Sequence, residues 1–292
     1  MTPGFVDQRQ VARQAARVAA RYDADDFIAR EIDRRMQERL DYIALRPQRI
    51  VDLGCARGGS FAGLAARYPQ AELLGVDLAP AMLRAGAARA PDWRRWLGLG
   101  GKAGPARLAA DAAHLPLAAG SISLIWSNLL LHWLDDPLPA FAEAHRALAV
   151  GGLLMFSTLG PDTLKELRSA FADGYAHTQR FIDMHDLGDM LVGCGFADPV
   201  MDMEVITLTY DHLDALLADL RAAGASCAMQ ARRRGLAGRH GWQAARAAYE
   251  SLRRDGKLPA TLEVVYGHAW KAAPRQTPDG RAIIRFERRP GR

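Results

Sequence analysis

The sequence predicts a doubly wound α/β fold, in which helices cover both faces of a mostly parallel β-sheet. Three observations predict it. Short apolar strands alternate with helical segments over residues 49–158, a glycine-rich turn follows the first strand, and polar residues follow the later strands. The strand, turn, helix and strand of residues 49–78 form a βαβ unit, so its strands should run parallel with a right-handed crossover.

The first half of the chain supplies these elements in order. Residues 49–53 (RIVDL) are a buried strand, and residues 54–59 are the turn. The other predicted elements are strands at 72–78, 107–110, 122–127 and 153–158 and helices at 61–68, 80–89 and 138–148. Residues 93–105 carry four glycines and interrupt the alternation, which predicts a surface loop.

The pattern changes after residue 158. Helices are predicted at 161–171 and 185–192, strands at 200–210 and 262–270, and two helices between those strands at 212–223 and 242–254. The predicted organisation is N-terminal lid helices at 1–46, a sheet core at 47–210, a helical cap at 211–258, the last core strand at 259–273 and a tail at 274–292 with a strand at 282–286.

Arginines recur at every fourth position near the amino end, with no acidic residue between Asp7 and Asp23; they are Arg9, Arg13, Arg17 and Arg21. An arginine-rich, acid-poor amphipathic helix is typical of an organellar transit peptide. We favour a helix of the folded domain, because no small-residue cleavage signal follows. The arginines then occupy its solvated face, and Val11, Ala15 and Val18 turn inward.

Composition excludes several classes of protein. With 49% hydrophobic residues, 24% charged residues and a net charge of +5, the chain is neither collagen, coiled coil nor disordered. Its three cysteines fit neither a disulfide framework nor a zinc site, which indicates a reducing compartment, the cytoplasm. The longest apolar stretch, residues 122–134, is shorter than the roughly 18 residues of a membrane span.

Residues suited to a ligand follow four predicted strands, whose carboxyl ends should meet at one crevice. Asp52, Gly54 and Gly58 belong to the first strand and its turn, where small residues and free N–H groups admit a ligand. Asp77 ends the second strand, nineteen residues after Gly58, where a carboxylate accepts both hydroxyls of a ribose. The other two strand ends carry Asp111 with Ala112, suited to the edge of an adenine, and Ser127 with Asn128. For the glycine turn taken alone, a tight turn without a ligand is the alternative.

Together these residues resemble the class I S-adenosylmethionine-dependent methyltransferases. The resemblance implies a Rossmann-like sheet, mostly parallel, of seven strands with an antiparallel C-terminal hairpin. It also implies that S-adenosylmethionine is the cofactor, that Asp52 and the glycine loop hold its amino-acid part, and that Asp77 and Leu78 belong to its site. This chain departs from the family at Ala56, where a glycine is common. One added methyl group is usually tolerated there.

A narrower resemblance covers nearly the whole chain. DAAHLPL at 111–117, WSNLLLHW at 126–133 and FSTLGPDTLKEL at 156–167 resemble the malonyl-[acyl-carrier protein] O-methyltransferases of biotin synthesis, as do ARYD at 20–23 and QRF at 179–181. The resemblance implies methylation of the free carboxylate of a malonyl thioester on acyl-carrier protein.

The second half of the chain also resembles a mitochondrial complex I assembly factor of the same fold. That resemblance implies an arginine hydroxylase or a partner-binding protein, and the shared stretches are residues 160–168, 186–188 and 259–261. The biotin-synthesis family fits better at residues 156–158, 180–181 and 184–186.

A carboxylate is already ionised at neutral pH, so methyl transfer to it needs no general base. Tyr22 is a candidate to donate its hydroxyl to the malonyl group or to wall the site, and His132 and Trp133 follow the fourth strand near the expected methyl position. A packed wall is favoured over a proton shuttle for His132. Arg180 could pair with a carboxylate or a phosphate, with an exposed helix-end arginine as the alternative. Cys55 is excluded as a nucleophile because nothing nearby would lower its pKa.

The predicted cap is strongly basic. Residues 221–257 hold nine Lys and Arg, among them Arg232 and Arg233, against Glu250 and Asp255, a balance of +7. Such a surface would attract an acidic carrier protein, so we predict docking there. RNA would suit the same charge, but neither a stacking platform nor a nucleic-acid-binding motif accompanies it. A solvated helical face is the plainer alternative.

Overall fold

The computed structural model describes residues 5–22, 26–88, 104–235 and 238–273. Most of the predicted loop at 93–105 and the whole predicted tail at 274–292, with its strand at 282–286, lie outside the described residues.

One mixed sheet forms the centre of the fold, and its order is β3-β2-β1-β4-β5-β7-β6. Its strands are β1 (Arg49–Leu53), β2 (Glu72–Asp77), β3 (Ala106–Ala109), β4 (Ile122–Asn128), β5 (Leu148–Leu159), β6 (Ala197–Tyr210) and β7 (Leu258–Trp270). The first five strands pair in parallel, whereas β7 runs antiparallel between β5 and β6. The predicted fold class, including the antiparallel C-terminal hairpin, is confirmed.

Helices cover both faces of this sheet. They are α1 (Gln8–Val18), α2 (Phe27–Arg39), α3 (Phe61–Arg67), α4 (Pro80–Ala87), α5 (Leu138–Ala147), α6 (Lys165–Ala170), α7 (Met184–Gly193), α8 (Leu213–Ala222) and α9 (Arg239–Glu250). Because strand side chains alternate, successive residues enter different cores: Ile50 packs on the α2 side, and Val51 packs on the α5 side. In the described residues no helix is long and apolar enough to cross a membrane.

The strand predicted at 153–158 begins five residues earlier, at Leu148. The helix predicted at 161–171 begins only at Lys165. Leu164 has a left-handed backbone with φ of 53°, and its N–H donates to the carbonyl of Thr261 at 2.7 Å. This tertiary hydrogen bond to β7 replaces the first turn that the side-chain pattern predicted.

The arginine-rich amino end is a helix of the folded body, as we predicted. The four arginines are exposed, Val18 is buried, and Asp7 caps α1 by accepting from the N–H of Gln10 at 3.1 Å. The segment before the helix is fastened to two distant loops. The N–H of Val6 donates to Asp135 Oδ1 at 2.8 Å, and the N–H of Asp7 donates to the carbonyl of Ala228 at 2.8 Å.

Candidate functional site

A cavity of about 990 Å³ lies at the carboxyl ends of β1, β2, β3 and β4. Helix α1 covers it with one face, and α8 together with residues 177–179 and Phe181 forms its far side. The compartment below α8 is apolar, and its lining includes Leu159, Leu167, Leu208, Leu217, Leu220 and Trp242. Ligand cavities commonly span about 300 to 1,000 Å³, so this one is large enough for a cofactor and a second ligand.

Most of the predicted site residues meet at this cavity. Its lining includes Tyr22, Gly54, Asp77, Leu78, Asp111, Ala112, Asn128, His132, Trp133 and Arg233. Asp52 lines an adjoining cavity of about 220 Å³. Four predicted residues line neither cavity: Gly58, Ser127, Arg180 and Arg232.

The glycine loop shows two different uses of glycine. Gly54 lines the cavity with φ of 78°, and a Cβ there would lie 3.0 Å from the Cβ of Leu130. Gly58 has φ of 88°, and a Cβ there would lie 2.5 Å from the ring of Phe61. Gly58 therefore shapes the turn, whereas Gly59, with open space around it, lines the smaller cavity.

Asp77 connects this loop to the end of β2. Its Oδ2 accepts from the N–H of Ala56 at 2.8 Å, and its Oδ1 accepts from the N–H of Ala79 at 2.7 Å. Burial raises the pKa of this carboxyl, and the two backbone hydrogen bonds oppose that rise. Each carboxylate oxygen has a second lone pair, so both remain able to accept from a ligand.

Ala56 has a left-handed backbone with φ of 47°, which an alanine adopts only at a cost. We expect Ala56→Gly to raise the free energy of unfolding by about 0.5 to 1 kcal/mol, because relief of this strain exceeds the added freedom of the unfolded chain. Urea unfolding of the two proteins would measure it. The control is Ala66→Gly on the exposed face of α3, which should instead lower the stability by about 1 kcal/mol. Equal losses in both variants would contradict the prediction.

Three carboxylates, of Asp26, Asp33 and Asp52, line the smaller cavity together with Arg30 and Arg57. Asp33 is satisfied within the protein, since it accepts from Trp126 Nε1 at 3.0 Å and from Gln37 Nε2 at 2.7 Å. Asp52 Oδ2 is buried and has no hydrogen-bond partner in the described part of the chain. Burial, and then the charges of Asp33 and Asp77, raise the pKa of Asp52 well above its usual range. A buried carboxylate oxygen without a partner, near two further carboxylates, fits a cationic ammonium group.

The sequence reading missed Asp26 and Asp33. Asp26 is the N-cap residue of α2, and with Ala29, Arg30 and Asp33 it follows the helical spacing of three and four residues along one face. Polar residues beside the apolar stripe of this helix were the available signal.

The opposite end of the large cavity combines an apolar surface with a carboxylate. Leu78 is 46% exposed although it is large and apolar, and Ala112 is buried beside the same cavity. Asp111 is exposed, and its Oδ1 accepts from the N–H of Ala113 at 2.9 Å. A flat base with a polar edge suits this combination.

His132 and Trp133 form an aromatic wall with Phe181. The ring of His132 lies 5.1 Å from that of Trp133 and 6.2 Å from that of Phe181, measured between centroids. Its Nδ1 is buried and lacks a hydrogen-bond partner among the described residues. Burial lowers the pKa of His132 to about 3, so the ring is neutral near pH 7. Burial also raises the pKa of the Cys55 thiol, which agrees with its exclusion as a nucleophile.

Asn128 and Ser127 end β4 in different environments. The Asn128 Nδ2 donates to the carbonyl of Ala29 at 2.8 Å, and its Oδ1 accepts from Ser157 Oγ at 2.7 Å. This side chain thus fixes α2 against the sheet at the edge of both cavities. Ser127 is buried away from them, because strand residues alternate between faces.

Two of the three arginines predicted to bind substrate form ion pairs within the protein. Arg232 Nη2 lies 2.8 Å from Asp7 Oδ2 and fastens the segment before α1, so it is not part of an open docking surface. Arg233 Nη1 lies 3.6 Å from Asp173 Oδ2. Arg180 is exposed on a loop rather than at a helix end, and its guanidinium lies 4.7 Å from the ring centroid of Phe5.

The predicted basic cap is less charged than its sequence window indicated. Within the described part of the chain, five of its nine cations form ion pairs: Arg232, Arg233, Arg246, Arg253 and Lys257. Four of the five acidic partners lie outside residues 221–257; they are Asp7, Asp173, Asp211 and Asp214. A balance of +7 therefore overstates the charge that the cap offers to a partner.

Comparisons with known proteins agree with this geometry. A family profile described as a methyltransferase domain matches residues 51–156. The malonyl-[acyl-carrier protein] O-methyltransferase of Laribacter hongkongensis is 51% identical over 292 residues, 98% of each chain. The protein of that name from Gallionella capsiferriformans is 50% identical over 284 residues, 96% of this chain and 97% of its own.

A solved structure, the YcgJ protein of Bacillus subtilis, has a similar fold. Its TM-score is 0.56 at 13% sequence identity, and the match covers 82% of this chain and 100% of that one. At this level of identity the likeness concerns the fold and not the reaction.

Proposed function

This chain belongs to the malonyl-[acyl-carrier protein] O-methyltransferase family, and from that membership we propose its reaction. It transfers the methyl group of S-adenosylmethionine to the free carboxylate of a malonyl thioester on acyl-carrier protein, a step of biotin biosynthesis. The relatives named above favour this reaction over the assembly-factor alternative. We place it in the cytoplasm, a reducing compartment that suits three unpaired cysteines.

The observation that carries the proposal is a single cavity that joins two chemically different regions. One region holds the carboxylates of Asp77 and Asp111 at the strand ends, and the other is an apolar compartment below α8. The wall of His132 and Trp133 borders the same cavity. A cofactor at the strand ends and a thioester arm in the apolar compartment could therefore meet inside one cavity.

We assign the cofactor to the strand ends because the residues there match its parts. Asp52, with its unpartnered buried oxygen, would hold the ammonium group. Asp77 would accept from the ribose hydroxyls, and Asp111 with Leu78 and Ala112 would hold the adenine. Gly54 leaves room for the amino-acid part, and Asn128 supports α2 beside it. When bound, S-adenosylmethionine supplies a methyl group that is already activated by its sulfonium.

The remaining work of the protein is alignment and exclusion of water. Helix α1 covers the cavity, and Tyr22 at the end of this segment lines both cavities. We assign to Tyr22 a contact with the malonyl group and to Trp133 the wall opposite. His132 is neutral near pH 7, so its role is to pack or to donate a hydrogen bond rather than to carry a proton. The carboxylate nucleophile needs no base.

The proposed reaction is tested by intact-mass spectrometry of malonyl-acyl-carrier protein after incubation with the protein and S-adenosylmethionine. We expect a gain of one methylene, about 14 Da, that is absent without S-adenosylmethionine and absent when the carrier protein holds no malonyl group. No gain, with cofactor binding confirmed by calorimetry, would contradict the proposal. Free malonate is the control substrate, and it tests whether the reaction requires a thioester.

The neutral state of His132 gives a separate expectation for the pH dependence of the rate. Because the pKa of His132 lies at about 3, this residue should not titrate from about pH 5 upward. The pH profile of the rate in that range should therefore have the same shape in the unaltered protein and in His132→Gln. That variant should lose about 3- to 10-fold in kcat, the value of one hydrogen bond, with cofactor affinity unchanged. An inflection near neutral pH that the substitution removes would instead make His132 a proton shuttle.

A further inference from the structure

Helix α1 carries a basic stripe on the side that faces away from the cavity. Arg9, Arg13 and Arg17 are exposed and four residues apart, so they lie on one face over about 12 Å. Arg21 is exposed just beyond the helix. Helix α1 itself contains no acidic residue. We call these four arginines the α1 stripe.

The α1 stripe differs from the cap in how its charges are used. Among the described residues, no ion pair includes any of its four arginines. In the cap, by contrast, Arg246 pairs with Asp214 and Lys257 pairs with Asp211, each at 2.6 Å. A row of arginines without a described acidic partner attracts an acidic protein more strongly than a neutralised row does.

The other face of α1 determines what kind of partner the stripe can bind. Val11, Ala15 and Val18 line the cavity or are buried, so the apolar face is already occupied within the protein. A basic helix binds a membrane by inserting its apolar face, which is not available here. The exposed arginines therefore suit a soluble acidic surface.

The stripe also lies next to the reaction site. Gln8 Nε2, one residue before Arg9, donates to the carbonyl of Trp133 at 2.8 Å and lines the cavity. Only the thickness of one helix, about 10 Å, separates the stripe from the cavity interior. A partner held on α1 could thus present a flexible prosthetic arm to the wall of His132 and Trp133.

We propose that the α1 stripe, and not the cap, is the docking surface for an acidic surface of the acyl-carrier protein. The inference rests on the proposed function for the identity of the partner. It assigns the arginines to recognition of the carrier and leaves the malonyl group and the cofactor to the cavity.

The test compares two triple variants of equal charge change. Arg9→Glu/Arg13→Glu/Arg17→Glu reverses the stripe, and Arg234→Glu/Arg239→Glu/Arg254→Glu reverses exposed cap arginines that form no ion pair with a described acidic residue. Fluorescence anisotropy measures binding of labelled acyl-carrier protein, and mass spectrometry measures methylation of malonyl-acyl-carrier protein and of malonyl-pantetheine, which lacks a carrier.

We expect the stripe variant to bind the carrier at least about 10-fold more weakly and to lose a similar factor in kcat/KM with malonyl-acyl-carrier protein. Its kcat/KM with malonyl-pantetheine should change less than about 2-fold, since that substrate does not touch the stripe. The cap variant should keep both activities. The difference should shrink as salt is raised, because exposed charges are screened.

Three results would overturn the inference. Carrier affinity that is unchanged in the stripe variant but lost in the cap variant would return docking to the cap. Equal losses with both substrates would mean that the arginines act on lid structure. Tighter binding of an RNA than of the carrier, through the same arginines, would identify a different partner. A protein that binds the carrier through the stripe yet methylates neither substrate would support the docking surface and count against the proposed function alone.

Discussion

An Asp77→Ala variant is expected to bind S-adenosylmethionine about 100-fold more weakly than the unaltered protein. The Asp77 carboxylate retains free lone pairs at the cavity although it already accepts from the N–H groups of Ala56 and Ala79. Hydrogen bonds to a charged acceptor are worth about 1.5 to 3 kcal/mol, and each 1.4 kcal/mol changes affinity tenfold. The loss of the ribose hydroxyl contacts therefore accounts for about two orders of magnitude.

Isothermal titration calorimetry would measure the affinity, and Asp111→Ala is the matched control. Asp111 is an exposed carboxylate at the neighbouring strand end, so its removal should cost less than about 10-fold. Because Asp77 also holds the glycine loop, the melting temperature of the free protein should be recorded for both variants. Unchanged affinity in Asp77→Ala would remove this residue from the cofactor site.

The fold and one wall of the site were predictable because they depend on local patterns. Short apolar runs predict strands such as β1. Once the order of the parallel strands is known, Asp77 and Asp111 are expected at the same edge of the sheet. The late start of α6 arises from pairing with a distant segment, as the hydrogen bond from Leu164 to Thr261 shows. The early start of β5 accompanies the pairing of Leu148 with Ile122 on β4.

Charge placement was the least predictable part, because ion pairs join residues far apart in the sequence. Arg232 was assigned to a partner surface, but Asp7, 225 residues away, accepts its hydrogen bond. The sequence window over the cap, residues 221–257, leaves out four acidic residues that pair with its cations: Asp7, Asp173, Asp211 and Asp214. The charge of the amino-terminal helix was easier to predict from its sequence alone, since the four arginines of the α1 stripe pair with no described acidic residue.

The pocket around Asp52 was hidden for a related reason. Asp52 was predicted from the strand end, but Asp33 reaches the same pocket from α2, and Trp126 from β4 donates to it. Three elements separated by many residues create the environment that raises the pKa of Asp52. Neither the pocket nor the raised pKa of Asp52 follows from any single sequence motif.

That raised pKa gives the second large effect, a release of a proton when the cofactor binds. In the free protein, burial and the charges of Asp33 and Asp77 favour the protonated form of Asp52. A bound ammonium group beside Asp52 favours the ionised form, so its pKa falls on binding. Affinity for S-adenosylmethionine should therefore rise with pH, by up to about tenfold per pH unit, between the lower pKa of the complex and the raised pKa of the free protein.

Calorimetry in buffers of different ionisation enthalpy would count the released protons, and Asp52→Asn supplies the control. This variant has no proton to release, so its affinity should lose the pH dependence and fall by about 30-fold at the alkaline end, the cost of removing one partner of a buried charge pair. At acidic pH the two proteins should converge, because Asp52 is then neutral in the free protein and resembles the amide. A proton release that persists in Asp52→Asn would move the titrating group elsewhere, with Asp77, whose pKa burial also raises, as the first residue to test.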